Sequence, residues 1–146
     1  MIDRVSEARR SYIMSQVGSK DTAPEWTVRR LLHRLGYRYR LHAAHLPGRP
    51  DLCFPARRKV VFVHGCFWHG HECRYGRLPK SRIDYWRDKI AANRARDLDR
   101  IVALADLGWS ALVVWQCEIR DPDQLTAKLT RFLGPPRNYA RTETRP

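Results

Sequence analysis

Three cysteines and one histidine have the residue types of a tightly bound metal site. Three of the four lie within eight residues, and the set is Cys66, His71, Cys73 and Cys117. Three thiolates and one imidazole make a closed tetrahedral ligand set that suits a structural Zn²⁺. Spacing alone leaves two alternatives open. In the first, the nearby His64 and His69 also offer zinc ligands, and His69 takes the place of His71. In the second, the four residues are unrelated and Cys66 and Cys117 are small core residues.

A second group of residues has the types that are needed to cleave a phosphodiester bond. That reaction uses a divalent cation held by carboxylate and carbonyl oxygens. Asp51 begins one strand of a predicted hairpin and His64 ends the other, so both lie at the same end of the sheet. If the zinc takes His71, then His64 and His69 are free for chemistry.

Two further acidic residues have both a structural and a chemical interpretation. Glu25 lies three residues after Thr22, a spacing typical of a capping box, in which the glutamate binds only its own helix terminus. Asp97 lies with Asn93 on what the pattern indicates is the polar side of a long helix, where solvation is the simplest role. The pattern alone decides neither case.

Several apolar side chains occur where core residues are not expected. Phe67 and Trp68 lie in a polar loop rich in glycine and histidine, and Trp86 follows near the start of the long helix. On a basic surface such side chains can insert between bases. The alternative is a small satellite core around the zinc. Met14, in a basic N-terminal stretch, has the same two interpretations.

Periodicity and turn signals outline the elements that must position these residues. They predict helices over 6–17, 23–35 and 82–107 and from Pro122 onward, and strands over 37–42, 51–54, 59–64 and 109–116. The order α-α-β-β-β-α-β-α predicts an α/β fold with a mixed sheet, in which a hairpin is joined to a last strand by a helical crossover. The strand at 109–116 is expected to be buried on both faces.

The pattern also predicts which side chains form the core. For the long helix, the predicted buried face consists of Trp86, Ile90, Leu98, Ile101 and Ala105. Cys53 lies between two apolar residues of a strand, so we expect a buried free thiol there.

Composition bounds the class of protein. The chain has 146 residues, of which 43% are hydrophobic, and this predicts one globular domain. No apolar run approaches the roughly 20 residues that span a bilayer, and no secretory signal begins the chain. We therefore expect a cytoplasmic protein without membrane contacts. The net charge of +13, carried by 23 arginines and 5 lysines, indicates a polyanionic partner, although a GC-rich genome also favours arginine.

These residues fall in five segments that resemble the very-short-patch repair (Vsr) endonucleases, a mismatch-nicking branch of the restriction-endonuclease-like fold. In chain order the segments are DTAPE at 21–25, LPGRPD at 46–51, HGCFWHGHEC at 64–73, YWRDKIAANRARD at 85–97, and LGW at 107–109 with VWQC at 114–117. The HGCFWH run is highly specific, and the resemblance covers about residues 11–133.

The resemblance implies two metal ions with different roles. A catalytic Mg²⁺ would be held by Asp51 and the backbone carbonyl of Val63, and its waters by Glu25 and His64. The implied structural zinc ligands are Cys66, His71, Cys73 and Cys117.

The resemblance also implies a base and a set of DNA contacts. His69 would act as the base or orient the attacking water, with Asp97 behind it. The implied DNA contacts are Phe67, Trp68 and Trp86 in the major groove, Met14 in the minor groove, and Lys89 and Asn93 near the mismatch.

The activity implied by the resemblance is a Mg²⁺-dependent nick of the T-bearing strand, 5′ to the T of a T:G mismatch. Such mismatches arise when 5-methylcytosine deaminates, and the nick would begin very-short-patch repair. The implied partners are double-stranded DNA and repair proteins, in a monomer associated with the bacterial nucleoid. Two alternatives stay open: a nickase of relaxed or different specificity, and a zinc-stabilised DNA-binding module without catalysis.

The implied domain organisation has three parts. Residues 1–20 would form a basic helix that clamps the DNA, residues 21–133 the endonuclease domain with its zinc site, and residues 134–146 a disordered basic tail.

Overall fold

The computed structural model describes residues 22–136. Within that range the helices are α1 (Ala23–Arg34), α2 (Ile83–Asp106) and α3 (Pro122–Leu133). The strands are β1 (Arg40–Leu41), β2 (Leu52–Phe54), β3 (Lys59–His64) and β4 (Ser110–Trp115). The predicted order of elements is confirmed from α1 onward. The predicted helix at 6–17, with Met14, lies outside the described residues.

The four strands form one mixed sheet in the order β1-β2-β3-β4. β1, β2 and β3 run antiparallel, with Leu52 opposite Val61. β4 lies parallel to β3, with Val63 opposite Val114, and α2 provides the crossover that a parallel connection requires. The predicted mixed α/β architecture is therefore confirmed. β3 is paired on both sides, and it leads directly into the loop that carries most of the candidate site residues.

The sheet separates two hydrophobic clusters because successive strand residues point to opposite faces. Val61 packs on one face with residues of α1 and α3, among them Leu32 and Leu129. Val60 packs on the other face with Leu104 of α2. Cys53 belongs to this second cluster and is a buried free thiol, as predicted.

The buried face of α2 differs from the prediction. Its fully buried residues are Trp86, Ile90 and Leu104. Leu98, predicted to be buried, is 66% exposed, and Ala105 is also exposed. The reason is that the polar residues Asn93 and Asp97 occupy the inward positions between the two apolar ends, at spacings of three and four residues. A search for an apolar stripe cannot detect such a face.

Two strand predictions also need correction. Only Arg40 and Leu41 of the predicted strand 37–42 pair with β2. Of the six residues of β4, only Val114 is fully buried, so the expected burial on both faces is wrong. β4 is the edge strand of the described sheet and has a neighbour on one side only, which leaves its side chains partly accessible.

In residues 22–136, none of the helices combines the length and the apolar character of a bilayer-spanning segment.

Candidate active site

The sheet end at which β3 stops holds the first part of the candidate site. Asp51, directly before β2, accepts a hydrogen bond from the backbone N–H of Val63 at 2.7 Å. The N–H and C=O of an extended residue point to the same side of the strand. The Val63 carbonyl therefore also faces the side on which Asp51 lies. Burial raises the pKa of Asp51, and the hydrogen bond from Val63 and the nearby His42 and Arg29 oppose that rise.

Glu25 reaches the same place from α1. Thr22 caps the helix, since its hydroxyl oxygen accepts from the Glu25 N–H at 3.4 Å. The Glu25 side chain itself is buried and binds Arg29, one helical turn further on. Its Oε2 also lies 2.9 Å from Nε2 of His42. The cap and an inward-facing carboxylate thus occur together, and Glu25, His42 and Asp51 have ligand atoms within 4.8 Å of one another.

A second group of titratable residues begins at His64, the last residue of β3, and also contains His69 and Asp97. The two imidazole rings stack with centroids 3.7 Å apart. His64 is buried, and its Nδ1 has no hydrogen-bond partner among the described residues. Burial, followed by the neighbouring His69, lowers the pKa of His64 to about 3. His64 is therefore a neutral imidazole, and its Nδ1 can donate or accept a hydrogen bond according to the tautomer.

His69 is held by Asp97, with Nδ1 of the ring 2.5 Å from Oδ2 of the carboxylate. Burial on its own would raise the pKa of Asp97, but the hydrogen bond with His69 and the electrostatic effects of His69 and Arg100 hold that pKa below its usual value. An ionised Asp97 accepts a hydrogen bond from Nδ1–H of His69, so whenever the ring is neutral the lone pair is on Nε2. This is the tautomer that a general base needs.

The four predicted zinc ligands meet where the loop after β3 lies beside the residues that follow β4. Cys66, His71, Cys73 and Cys117 place one ligand atom each within 4.8 Å of the others. The Cys66 Sγ accepts from the Cys117 N–H at 3.4 Å, and the Cys117 Sγ lies 3.5 Å from Nδ1 of His71. Burial raises the pKa of the Cys66 thiol to about 12, so a thiolate there needs a cation beside it. This donor set fits Zn²⁺.

The loop backbone explains why the ligands converge. The N–H of His71 donates to the Cys66 carbonyl at 2.9 Å, and the N–H of Gly76 donates to the Cys73 carbonyl at 3.0 Å. A Cβ at Gly76 would lie 2.0 Å from the His71 carbonyl oxygen, so only glycine fits this close approach. The His71 ring stacks on Trp115 at the end of β4, with centroids 4.2 Å apart. His71 belongs to this cluster and His69 to the other, an assignment that spacing had left open.

The loop aromatics form a compact group with the start of α2. Phe67 and Trp68 are half-buried, and each packs edge-on against Trp86, with centroids 5.4 and 6.0 Å away. Trp86 is only 3% exposed, and its ring packs between the body of the protein and the more exposed rings of Phe67 and Trp68. Nδ2 of Asn93 donates a hydrogen bond to the Trp68 carbonyl at 2.9 Å and so holds the β3–α2 loop against α2. Lys89 is exposed on the same helix.

Two residues of the site were not found from the sequence. Arg29 follows Glu25 by four residues, which is the ion-pair spacing of a helix, but a basic chain offers many such pairs. His42 is nine residues before Asp51, and the intervening turn brings it back so that its N–H donates to the Asp51 carbonyl at 3.1 Å. No pattern in the sequence marks that return.

Comparison with known proteins adds a family assignment. The family described as DNA mismatch endonuclease Vsr matches residues 2–75. Over 135 residues the chain is 61% identical to the type II nicking enzyme V.XorIIP of Xanthomonas oryzae pv. oryzae, covering 92% of this chain and 99% of that protein. It is 38% identical over 133 residues to the type II nicking enzyme V.NmeAIP of Neisseria meningitidis serogroup A, covering 91% and 95%.

A third relative carries the family's own description. The chain is 41% identical over 126 residues to the DNA mismatch endonuclease Vsr of Escherichia coli, covering 86% of this chain and 81% of that protein. The match to the family and the high coverage of these relatives agree with the resemblance that the five sequence segments indicate. This chain belongs to the DNA mismatch endonuclease Vsr family.

Proposed function

We propose that this protein is a Mg²⁺-dependent endonuclease with a restriction-endonuclease-like fold that nicks the T-bearing strand 5′ to the T of a T:G mismatch. One observation carries the proposal. Two groups of titratable side chains meet near the end of β3. Glu25, His42 and Asp51 form one, and His64, His69 and Asp97 form the other. A module that only binds DNA has no need for buried carboxylates on a chain of net charge +13.

The first group fits the cation. Two carboxylates and a backbone carbonyl are the oxygen ligands that Mg²⁺ prefers. Asp51 and the Val63 carbonyl would hold the ion, and Glu25 and His64 would hold its water shell. The unpartnered Nδ1 of His64 supports this role, because a buried polar atom is normally bound to a group of the protein or to water. When bound, a divalent cation neutralises the charge that develops on the phosphoryl oxygens.

The second group supplies the base. His69 would take a proton from the attacking water at Nε2, because Asp97 occupies its Nδ1. Asp97 fixes the tautomer and stabilises the imidazolium that this step forms. His64, stacked on His69, keeps the ring in one plane.

The loop and α2 would recognise the DNA. Phe67, Trp68 and Trp86 would act together as the wedge in the major groove beside the mismatch, with Trp86 supporting the other two rings. Lys89 and Asn93 would contact the mismatch region, and Asn93 would also hold the loop that presents the wedge. The basic segment 1–20, with Met14, would contact the minor groove. The zinc ion would be structural, because all four of its ligands come from the protein.

A second candidate has an observation of its own. The relative that is 61% identical over nearly the full chain is named a type II nicking enzyme, rather than a mismatch endonuclease. The same site would then nick DNA with a relaxed or different sequence specificity. This candidate shares the chemistry of the first and differs in the DNA sequence that is recognised.

The experiment uses labelled duplexes that contain one T:G mismatch or the matched T:A pair, with Mg²⁺ or with EDTA. We expect one nick in the T-bearing strand of the mismatched duplex, no product with EDTA, and no product from Asp51→Asn, whose amide is a weaker ligand. Varying the bases around the mismatch then separates the two candidates.

Two outcomes would contradict the proposal. Equal nicking of matched and mismatched duplexes would remove the mismatch specificity. Tight DNA binding without nicking under any divalent cation would leave the non-catalytic binding module.

A further inference from the structure

We propose that His42 is a direct nitrogen ligand of the divalent cation, beside Asp51 and the Val63 carbonyl, with Glu25 holding the water shell of the ion next to the same ring. The inference rests on the proposed function, since it concerns the ion that the nicking reaction uses. It adds a residue that none of the five family segments contains and that changes which ions the site prefers.

The first argument is convergence. Glu25 comes from α1, Asp51 from the residue before β2, and His42 from the segment directly after β1. One ligand atom from each lies within 4.8 Å of the other two, and Nε2 of His42 lies 2.9 Å from Oε2 of Glu25. Helix α1 and the β1–β2 pair thus bring a nitrogen and two carboxylates to one place. The approach of α1 to this turn is a tertiary contact.

The second argument is the backbone of His42. Its φ is +46°, in the left-handed region, which a side chain other than glycine adopts at a cost. Hydrogen bonds hold it there, because the N–H of His42 donates to the Asp51 carbonyl at 3.1 Å and the N–H of Ala43 donates to the Pro50 carbonyl at 3.2 Å. Residues kept in such conformations concentrate at active sites. Here the conformation locks the ring beside the catalytic carboxylates.

The third argument is charge. The carboxylates of Glu25 and Asp51 lie beside the His42 ring. Arg29 binds Glu25, and its Nη2 lies 3.2 Å from Nε2 of His42. Arg29 therefore offsets part of the carboxylate charge, so we expect weak binding of a cation before the DNA phosphates arrive. Under these conditions one additional ligand matters. Oxygen ligands suit Mg²⁺, whereas an imidazole favours transition metals, so His42 shifts the preference of the site toward Mn²⁺.

The alternative is that His42 only donates a hydrogen bond to Glu25 and positions it. An electron spin echo experiment separates the two roles, because nitrogen-14 modulation appears only if a nitrogen is bonded to Mn²⁺. The sample is the full-length, zinc-loaded protein without DNA, titrated with Mn²⁺ alone. The variants are His42→Asn, chosen because asparagine tolerates positive φ, and His42→Gln as a second replacement. The control is His45→Asn, which is exposed three residues away.

We expect nitrogen-14 modulation in the wild type and in His45→Asn, and none in either His42 variant. Mn²⁺ binding should weaken by about tenfold or more in those variants, the usual effect of losing a metal-site residue, while Mg²⁺ binding changes less. Modulation that persists in a folded His42 variant, or its absence from the wild type, would overturn the inference.

Asp51→Asn distinguishes this failure from failure of the proposed function. If Asp51→Asn abolishes Mn²⁺ binding and the His42 variants retain it with modulation, only the role of His42 is wrong. If Asp51→Asn binds Mn²⁺ as the wild type does, the ion lies elsewhere and the proposed catalytic site is wrong with it.

Discussion

At the scale of the residue, function depends on which atom of each side chain is left available. His69 and His64 are stacked imidazoles with different hydrogen bonding. Nδ1 of His69 is hydrogen-bonded to Asp97, whereas Nδ1 of His64 has no partner among residues 22–136. Asp51 has one carboxylate oxygen bound to the Val63 N–H. Asp51 and His69 are thus each held through one side-chain atom, the carboxylate Oδ2 and the ring Nδ1.

Replacing Asp97 by asparagine should slow nicking without weakening DNA binding. The amide removes the charge that stabilises the imidazolium and no longer selects the Nδ1–H tautomer. We expect the single-turnover rate to fall by about 10²–10⁴-fold, the range that a general base contributes. Asp99→Asn, an exposed change on the same helix, is the matched control. A normal rate in Asp97→Asn would mean that His69 is not the base, or that it needs no orientation.

Replacing Cys117 by alanine should remove zinc and lower thermal stability together. Metal binding and folding are coupled, and Cys117 follows β4, whereas the other three cluster residues lie in the β3–α2 loop. Metal content by mass spectrometry and the melting temperature are the two measurements. Cys53→Ala, a buried thiol outside the cluster, should lose stability but retain its zinc. Wild-type zinc content in Cys117→Ala would exclude it from the ligand set.

At the scale of the element, α2 has to pack and to serve the site along the same face. Trp86 and Ile90 at one end and Leu104 at the other are buried. Asn93 and Asp97 lie between them and make the loop and His69 contacts. The helix is therefore anchored by apolar residues on both sides of its polar centre, and this holds the polar residues in register with the β3–α2 loop.

The corrected face of α2 gives a paired stability prediction. Leu104→Ala should lower the free energy of unfolding by about 2–5 kcal/mol, because it opens a cavity against Val60 and its neighbours. Leu98→Ala, at a residue that is 66% exposed, should change it by less than about 0.5 kcal/mol. Urea denaturation monitored by circular dichroism measures both. Comparable losses in the two variants would contradict the described orientation of the helix.

At the scale of the whole molecule, charge is the dominant property. The net charge of +13 on 146 residues is carried mostly by arginine, which binds phosphate through a planar fork. The acidic residues of the site are few and largely buried, so they do not offset this field at the surface. The charge would set the affinity for duplex DNA, and the site would set the reaction.

Duplex binding should therefore weaken steeply with salt. For roughly six to ten phosphate contacts, affinity falls by about 10³–10⁵-fold between 50 and 200 mM salt. Fluorescence anisotropy with Asp51→Asn, which should not cleave, gives the slope of log Kd against log salt for matched and mismatched duplexes. Similar slopes with different intercepts are expected, because mismatch recognition adds contacts to bases. A nearly flat slope would rule out a phosphate-dominated interface.

The sequence by itself determined the order of the elements from α1 onward, the mixed character of the sheet and the family. These follow from local information: helix stripes, glycine and proline punctuation, and short motifs such as HGCFWH. It also predicted that Cys66, His71, Cys73 and Cys117 meet, and the structure brings them together. That these residues bind zinc remains a prediction.

Only the tertiary structure decided the rest. It showed that Asn93 holds the loop at Trp68, that Leu98 is exposed, and that His42 and Arg29 lie beside Glu25. Periodicity failed on α2 because polar residues can be buried when a partner across the molecule satisfies them, and such a partner is invisible in a local window. His42 was missed for the same reason: the turn that returns it to Asp51 depends on a left-handed residue and on backbone hydrogen bonds between distant segments.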